Sequence, residues 1–405
     1  MNVMMIAPGY PDEMPFFVCG LALEGAAVIG VGDQPESDIP PLAKQHLAAY
    51  VRVPSLQDED GCVKAATQWA KGKKIDRVIC LWEPGVILAA RLREELGTGG
   101  MTVDEVQPFR NKDLMKEKVA KAGIRTPKHA SAKNAAGVRA AAKKIGYPII
   151  IKPIAGAGSM DTYRVDSAAE LKATIAKMGH IDEVNVEEFI DGEEFTYDTI
   201  CIDGKIVYTN IGYYRPRPLD GRSQEWISPQ TMCLRDLDAP DLAGGHEMGH
   251  AVLEALKFKT GFTHMEWYRK SNGEVVFGEI AARPAGARTV DLMNFVSDID
   301  LFRGYAEAEV HGRFTTKVER KYNTVNIFKR AEGQGRIRRI EGLDRLRARF
   351  GPHIVHVDLL PIGAQRRNWV QTLISDGYVC VRHPDLQTTM DIADAVGTDL
   401  HLYAG

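Results

Sequence analysis

A chain of 405 residues, 44% hydrophobic and 26% charged, has ample material for two or three packed domains. Its net charge of −3 offers none of the basic footprint that nucleic acid requires, and no apolar run approaches the ~20 residues of a membrane span. Six cysteines without C-x-x-C spacing describe neither a disulfide framework nor a zinc ribbon, and Met1–Ala7 lacks the makings of a signal peptide, so a cytoplasmic protein is expected.

In chain order, Val3–Gly9, Ala26–Asp33 and Asp76–Pro84 read as strands separated by helical stretches, with a helix over Val86–Leu96. That alternation predicts an open parallel α/β sheet over residues 1–106. The loop after the first strand lacks G-x-G-x-x-G, so no dinucleotide site is expected there. Asn111–Gly123 predicts a charged amphipathic helix stopped by Gly123. Tyr147–Pro153 is a β-rich run carrying Lys152, and the glycine loop Ala155–Met160 follows at once. Glycines after a strand let backbone N–H groups close on an anion, although the lysine precedes them here and the P-loop order is absent.

Glu183–Ile190 alternates as a strand, and Asp203-Gly204 marks a hairpin turn. Tyr213–Pro229 is rich in proline and arginine (Arg215, Arg217 and Arg222), the kind of excursion that carries binding function. Asp241–Lys257 reads as a helix. Residues 317–405 read as a small α+β module, with helix periodicity over Arg336–Gly351, strands at Val355–Gly363 and Tyr378–His383, and a helix over Asp391–Val396.

The densest pattern lies in Phe262–Arg288. Asn272-Gly273 predicts a two-residue turn with both residues at positive φ and Ser271 opposite Glu274. That register sets Glu266 opposite Glu279 and His264 opposite Ala281. Alternate residues share a face, so His264, Glu266, Glu279, Ala281 and Arg283 look one way, while Met265, Trp267, Val276 and Ile280 form a core face. Facing carboxylates with Cβ atoms ~5 Å apart repel one another. A divalent cation would convert that liability into a site, since Mg²⁺ takes carboxylate and phosphate oxygens. A competing motif, His246-Glu247-Met248-Gly249-His250, spells H-E-x-x-H and would suit a zinc peptidase, but Gly249 weakens the helix it needs, and a chance occurrence is expected.

Taken in order, the lysine helix, the strand with its lysine and glycine loop, the run E-E-F-I-D-G-E-E and the paired-glutamate hairpin ending E-x-x-x-R resemble the ATP-grasp superfamily, which includes biotin carboxylase, D-alanine–D-alanine ligase and amino-acid ligases. The resemblance covers residues 111–288. It implies an ATP-grasp fold over residues 107–316, preceded by the parallel α/β domain and followed by the α+β cap of residues 317–405. It also implies that Lys112 and Lys152 reach the nucleotide phosphates, and that Gly156, Gly158 and Ser159 close over them. Glu187, Glu188, Phe189 and Ile190 would form the adenine hinge, with main-chain groups of Glu188 and Ile190 reading the base, and Glu194 would hold the ribose. Glu266 and Glu279 would hold Mg²⁺, or Mn²⁺ in its place, and Arg283 would contact phosphate or the reacting group.

The implied activity is ATP-dependent joining of a small carboxylic acid to an amine through an acyl phosphate, with no nucleic-acid or membrane partner; a homodimer is left open. Arg283 and His264 are the candidate catalytic donors, and Arg215, Arg217, Arg222 and Arg288 the candidates to hold a substrate carboxylate. One departure stands out: many relatives carry Asn two residues beyond the second metal glutamate, where this chain has Ala281. A degenerate ATP-binding protein without catalysis is therefore the alternative reading, beside the zinc peptidase.

Overall fold

The structure, a computed structural model, describes residues 1–154 and 161–405. Strands Leu47–Arg52, Ala27–Gly32, Asn2–Ile6 and Arg77–Cys80 lie side by side in that order, all parallel. The expected parallel sheet is present, with Leu47–Arg52 as an edge strand that the sequence pattern did not reveal. It follows the helix Pro41–His46 with no turn residue between them, and most of its residues are half-exposed or exposed.

A second, antiparallel sheet orders His129–Ala132, Val184–Glu188, Ile149–Pro153 and Tyr163–Val165, with helices Ala135–Ile145 and Ala168–Lys177 covering it around a core of Ile149, Ile151, Val184 and Val186. The third and largest sheet has eight strands: Val275–Ala281, Gly261–Arg269, Glu193–Ile202, Lys205–Arg215, Gln230–Cys233, Asn323–Phe328, Gly377–His383 and Ile354–Leu359. It runs straight through residue 316, because Asn323–Phe328 pairs with Gln230–Cys233. The carboxy-terminal residues thus extend the central sheet rather than form a detached cap. Within them Ile337–Glu341 is a strand, and helix begins only at Leu343, because Gly342 at φ +91° interrupts the apparent helical periodicity.

One face of the parallel sheet and the helix Met14–Leu23 share a core with the large sheet. Phe17 packs edge-on against Phe262, Phe302 and Tyr305, fixing the amino-terminal unit against the hairpin strand Gly261–Arg269.

The hairpin reaches its expected register by an unexpected route. Glu266 pairs with Glu279 and His264 with Ala281, but Trp267 pairs with Phe277, one residue out of step. The turn is not the two-residue form: Lys270 and Gly273 close it (2.9 Å), Lys270 faces Glu274, and only Gly273 has positive φ. A β-bulge at Gly278 then restores the register before the glutamates are reached. As a result Phe277 joins Met265, Trp267 and Ile280 in one core cluster, and Val276, also fully buried, lies outside that cluster. A Cβ on residue 278 would lie 2.8 Å from the Glu266 carbonyl oxygen. Gly278→Ala is therefore expected to cost ~1–3 kcal/mol and to disturb the glutamate pair. Urea unfolding set beside Mg²⁺-dependent nucleotide binding checks this; an unchanged midpoint with unchanged binding would show the bulge to be dispensable.

Candidate active site

The helix Lys112–Lys121 starts at Asn111, whose side chain accepts from the Asp113 and Leu114 N–H groups. Lys112 and Lys116, four apart and on one face, are both buried and meet carboxylates from two sheets. Lys116 Nζ lies 2.7 Å from one Glu187 oxygen, and Lys152 Nζ lies 2.7 Å from the other. Lys112 Nζ and Lys152 Nζ lie 3.3 and 3.4 Å from the same Glu279 oxygen. Small sheet, large sheet and helix thus meet in one chain of alternating charge.

Burial alone would raise Glu187, but Lys116 and Lys152 hold it down to about 2. Burial opposes the Glu279 carboxylate as well, and Lys112, Lys152 and Lys116 hold it well below the usual carboxylate range. Burial works against charge on Lys152 too, yet Glu187 and Glu279 keep it above the usual lysine range. Lys116, wholly buried, is pushed down to about 8. It was not among the residues expected from sequence, although its spacing from Lys112 was visible.

Glu266 lies across the hairpin from Glu279, and His264 shares its strand face. The His264 ring is buried, its Nδ1 2.6 Å from Asp198 Oδ1 and its Nε2 3.6 Å from Glu266 Oε1. Asp198 is itself fully buried and accepts from Thr196 Oγ1 (2.9 Å) and Asn210 Nδ2 (3.0 Å). Burial disfavours the imidazolium, but the Asp198 hydrogen bond and charge prevail, with help from Glu266, and lift it to about 9.

Arg283 reaches toward the same face, held by Glu83 of the amino-terminal unit, with Nε 2.9 Å and Nη2 2.7 Å from Glu83 Oε2. The other Glu83 oxygen accepts from Arg110 at 2.6 Å. Glu83 therefore locks the amino-terminal unit onto the candidate catalytic arginine, a role with no local sequence signature.

At the far end Glu194 is buried, 3.3 Å from Arg217 Nε, and burial together with the Glu266 charge raises it to about 8. Arg217 also donates to the Ile190 carbonyl (2.9 Å) and lies over the rings of Phe189 and Tyr268. The Glu188 side chain turns to Arg125 (2.8 Å) and the Lys128 N–H (3.0 Å), which anchors the strand end that would form the hinge. An open cleft of about 720 Å³ lies beside Glu194 and Arg217.

The arginines of the Tyr213–Pro229 excursion do not converge. Arg217 alone enters the site; Arg215 pairs with Asp394 (3.1 Å) and Gln230, and Arg222 donates to the Val370 carbonyl. A shared carboxylate clamp from all three is thus corrected by their divergence. Arg288 instead sits at the junction of two units, 2.8 Å from Asp291, over the Phe16 ring, with its N–H donating to Glu13. The residues Gly156, Gly158 and Ser159 lie outside the described residues.

The H-E-x-x-H segment belongs to a packing helix, Ala243–Ala255. Its Gly249 lies against Tyr197, where a Cβ would fall 2.4 Å from the ring, and His246 Nε2 is 3.1 Å from the Leu237 carbonyl. Among the described residues no group of three or more His, Cys, Asp or Glu side chains is placed to hold a metal. The zinc reading gives way to close helix–sheet packing. Glu247→Gln is expected to leave nucleotide-dependent activity unchanged, and elemental analysis should find no stoichiometric zinc; one tightly bound zinc per chain would revive the peptidase.

A strand carrying Lys152 and a paired-carboxylate hairpin, set in two antiparallel sheets, thus meet in one charged cluster. Residues 145–291 match the family model described as the ATP-grasp domain, and the chain carries that domain. The L-arginine-specific L-amino acid ligase of Bacillus subtilis is 26% identical over 292 residues, 70% of this chain and 69% of the relative. A formate-dependent phosphoribosylglycinamide formyltransferase of Erythrobacter litoralis is 32% identical over 188 residues, but only 43% of this chain and 45% of the relative are covered. In fold, the crystal structure of an L-amino acid ligase from Bacillus licheniformis superposes with a TM-score of 0.82 at 20% identity, over 100% of this chain and 98% of that one.

Proposed function

We propose that this enzyme uses Mg-ATP to activate a carboxylic acid and join it to an amine, with amino acids as the substrate class on both sides. The observation that carries the reading is the Glu266/Glu279 pair, met at Glu279 by Lys112 and Lys152, two lysines from different elements. The donor set suits the ion: two opposed carboxylates offer hard oxygen ligands, and the neighbouring lysines suit a polyphosphate. When bound, Mg²⁺ would neutralise phosphate charge during transfer. Lys152, held protonated by Glu187 and Glu279, and Lys112 beside it orient the transferring group.

The γ-phosphoryl group passes to the substrate carboxylate, with ADP leaving; the amine then attacks the acyl carbon, the C–O bond to phosphate breaks, and the amine proton is lost. Arg283, fixed by Glu83, and His264, fixed by Asp198, supply donors where oxyanion charge develops. The choice of amino acids rests on the amino-acid ligases among the relatives. ADP release measured across pairs of amino acids, with mass spectrometry of the products, tests the reading. ADP and an amide should appear together and only when both substrates are present. ATP binding without turnover across a complete panel would favour the degenerate, Ala281-bearing binder.

A further inference from the structure

A second cavity, of about 310 Å³, lies away from the nucleotide cleft, between the amino-terminal unit and the large sheet. Its walls carry several charged side chains, Glu309 and Arg93 among them, that form no ion pair among the described residues. Glu309, on the helix Leu301–His311, is only 8% exposed, and its polar neighbour is the Tyr305 hydroxyl, which donates to it. Arg93, on the helix Val86–Leu96, gives Nε to the Met101 carbonyl (2.8 Å) and Nη1 to the Val78 carbonyl (3.0 Å), both neutral acceptors, while Glu309 acts on its charge from beyond ion-pair distance. Arg77 lines the same side.

Glycines keep the space open: a Cβ on residue 100 would lie 2.6 Å from Arg93 Cδ, and one on residue 261 would lie 3.6 Å from Glu309 Oε1. Both have strongly positive φ, so neither position readily takes a side chain. Met101, Val106, Phe258 and Phe262 supply an apolar wall, beside the polar Asp203, Lys259 and Thr260.

A buried carboxylate is costly unless paired, and here Glu309 and the half-buried guanidinium of Arg93 line one cavity without an ion pair to each other. What satisfies both is a molecule with a charge of each sign, and its hydrocarbon would lie on the aromatic wall. We propose that this cavity is a second ligand site for a free α-amino acid with an apolar side chain, its carboxylate on Arg93 and its ammonium on Glu309. The inner wall includes Leu81 and Ala282, two residues from Glu83 and next to Arg283, so an occupant abuts the backbone that carries that pair. The site is separate from the catalytic cleft and does not depend on the ligase reading.

The test is calorimetric titration of the full-length protein with L-leucine, L-leucinamide and 4-methylpentanoate, in wild type, Glu309→Gln and Glu266→Gln. Leucine is expected to bind wild type and Glu266→Gln alike, and Glu309→Gln about tenfold or more weakly. The amide, which lacks the carboxylate, and the acid, which lacks the ammonium, should each lose about tenfold on wild type. Basal ATP-dependent turnover of Glu309→Gln should be unchanged. Should Glu309→Gln misfold, the two analogues on wild type and a leucine co-crystal with density between Arg93 and Glu309 carry the test. No leucine binding, equal affinity for all three compounds, or loss of binding only in Glu266→Gln would overturn the proposal.

Discussion

Replacing Lys152 with alanine is expected to weaken Mg-ATP binding by about 100-fold, while Lys121→Ala changes it less than about twofold. Lys152 ends a buried strand, lies 2.7 Å from Glu187 and 3.4 Å from Glu279, and is held fully protonated by them. Its removal takes away a charge that the proposed function sets at the phosphates, and with it the compensation for two buried carboxylates. Lys121 lies exposed at the end of its helix. Titration with a nonhydrolysable ATP analogue, alongside circular dichroism to confirm folding, reads the difference. Equal affinities in the two variants would remove Lys152 from the phosphate site.

The second large effect concerns His264. Its Nδ1 is committed to Asp198, so Nε2 is the atom presented to Glu266 and the space beyond it. As a donor to the phosphate or acyl oxyanion it should matter to turnover more than to nucleotide affinity. His264→Ala is expected to lower kcat by on the order of 10²-fold with Mg-ATP affinity nearly unchanged. Asp198→Asn, which keeps the shape but loosens the ring's orientation, should give a smaller loss of the same kind. Steady-state kinetics with separate nucleotide titration distinguishes the roles. Lost Mg-ATP binding with unchanged turnover at saturation would mean that the histidine completes the metal shell in place of the side chain absent at Ala281.

Much of this site could be read from the chain because its parts are local. The strand ending at Lys152, the Asn111-capped helix and the glutamate hairpin each carry their own pattern. At Asp203-Gly204 both residues adopt positive φ, as a two-residue turn requires. At Asn272-Gly273 only the glycine does, and the register of Glu266 and Glu279 emerges because a longer turn and the Gly278 bulge offset one another. A bulge is set by the backbone of the neighbouring strand and leaves only a lone glycine in the sequence. Glu83 and Asp198 escaped notice for a related reason. Glu83 meets its partner across 200 residues, and Asp198 sits within a strand, Glu193–Ile202, buried along nearly its whole length. The eight-stranded sheet likewise could not be inferred across residue 316, since pairing of distant strands leaves no periodicity in either.

The central claim is that a substrate carboxylate takes the γ-phosphoryl group and is then displaced by an amine. Oxygen-18 transfer tests it most directly, using the amino-acid pair that gives the fastest ADP release and labelling the carboxylate oxygens of the acid. An acyl phosphate intermediate predicts that each released phosphate carries one labelled oxygen, in step with amide formation. Unlabelled phosphate accompanying amide formation would contradict the account.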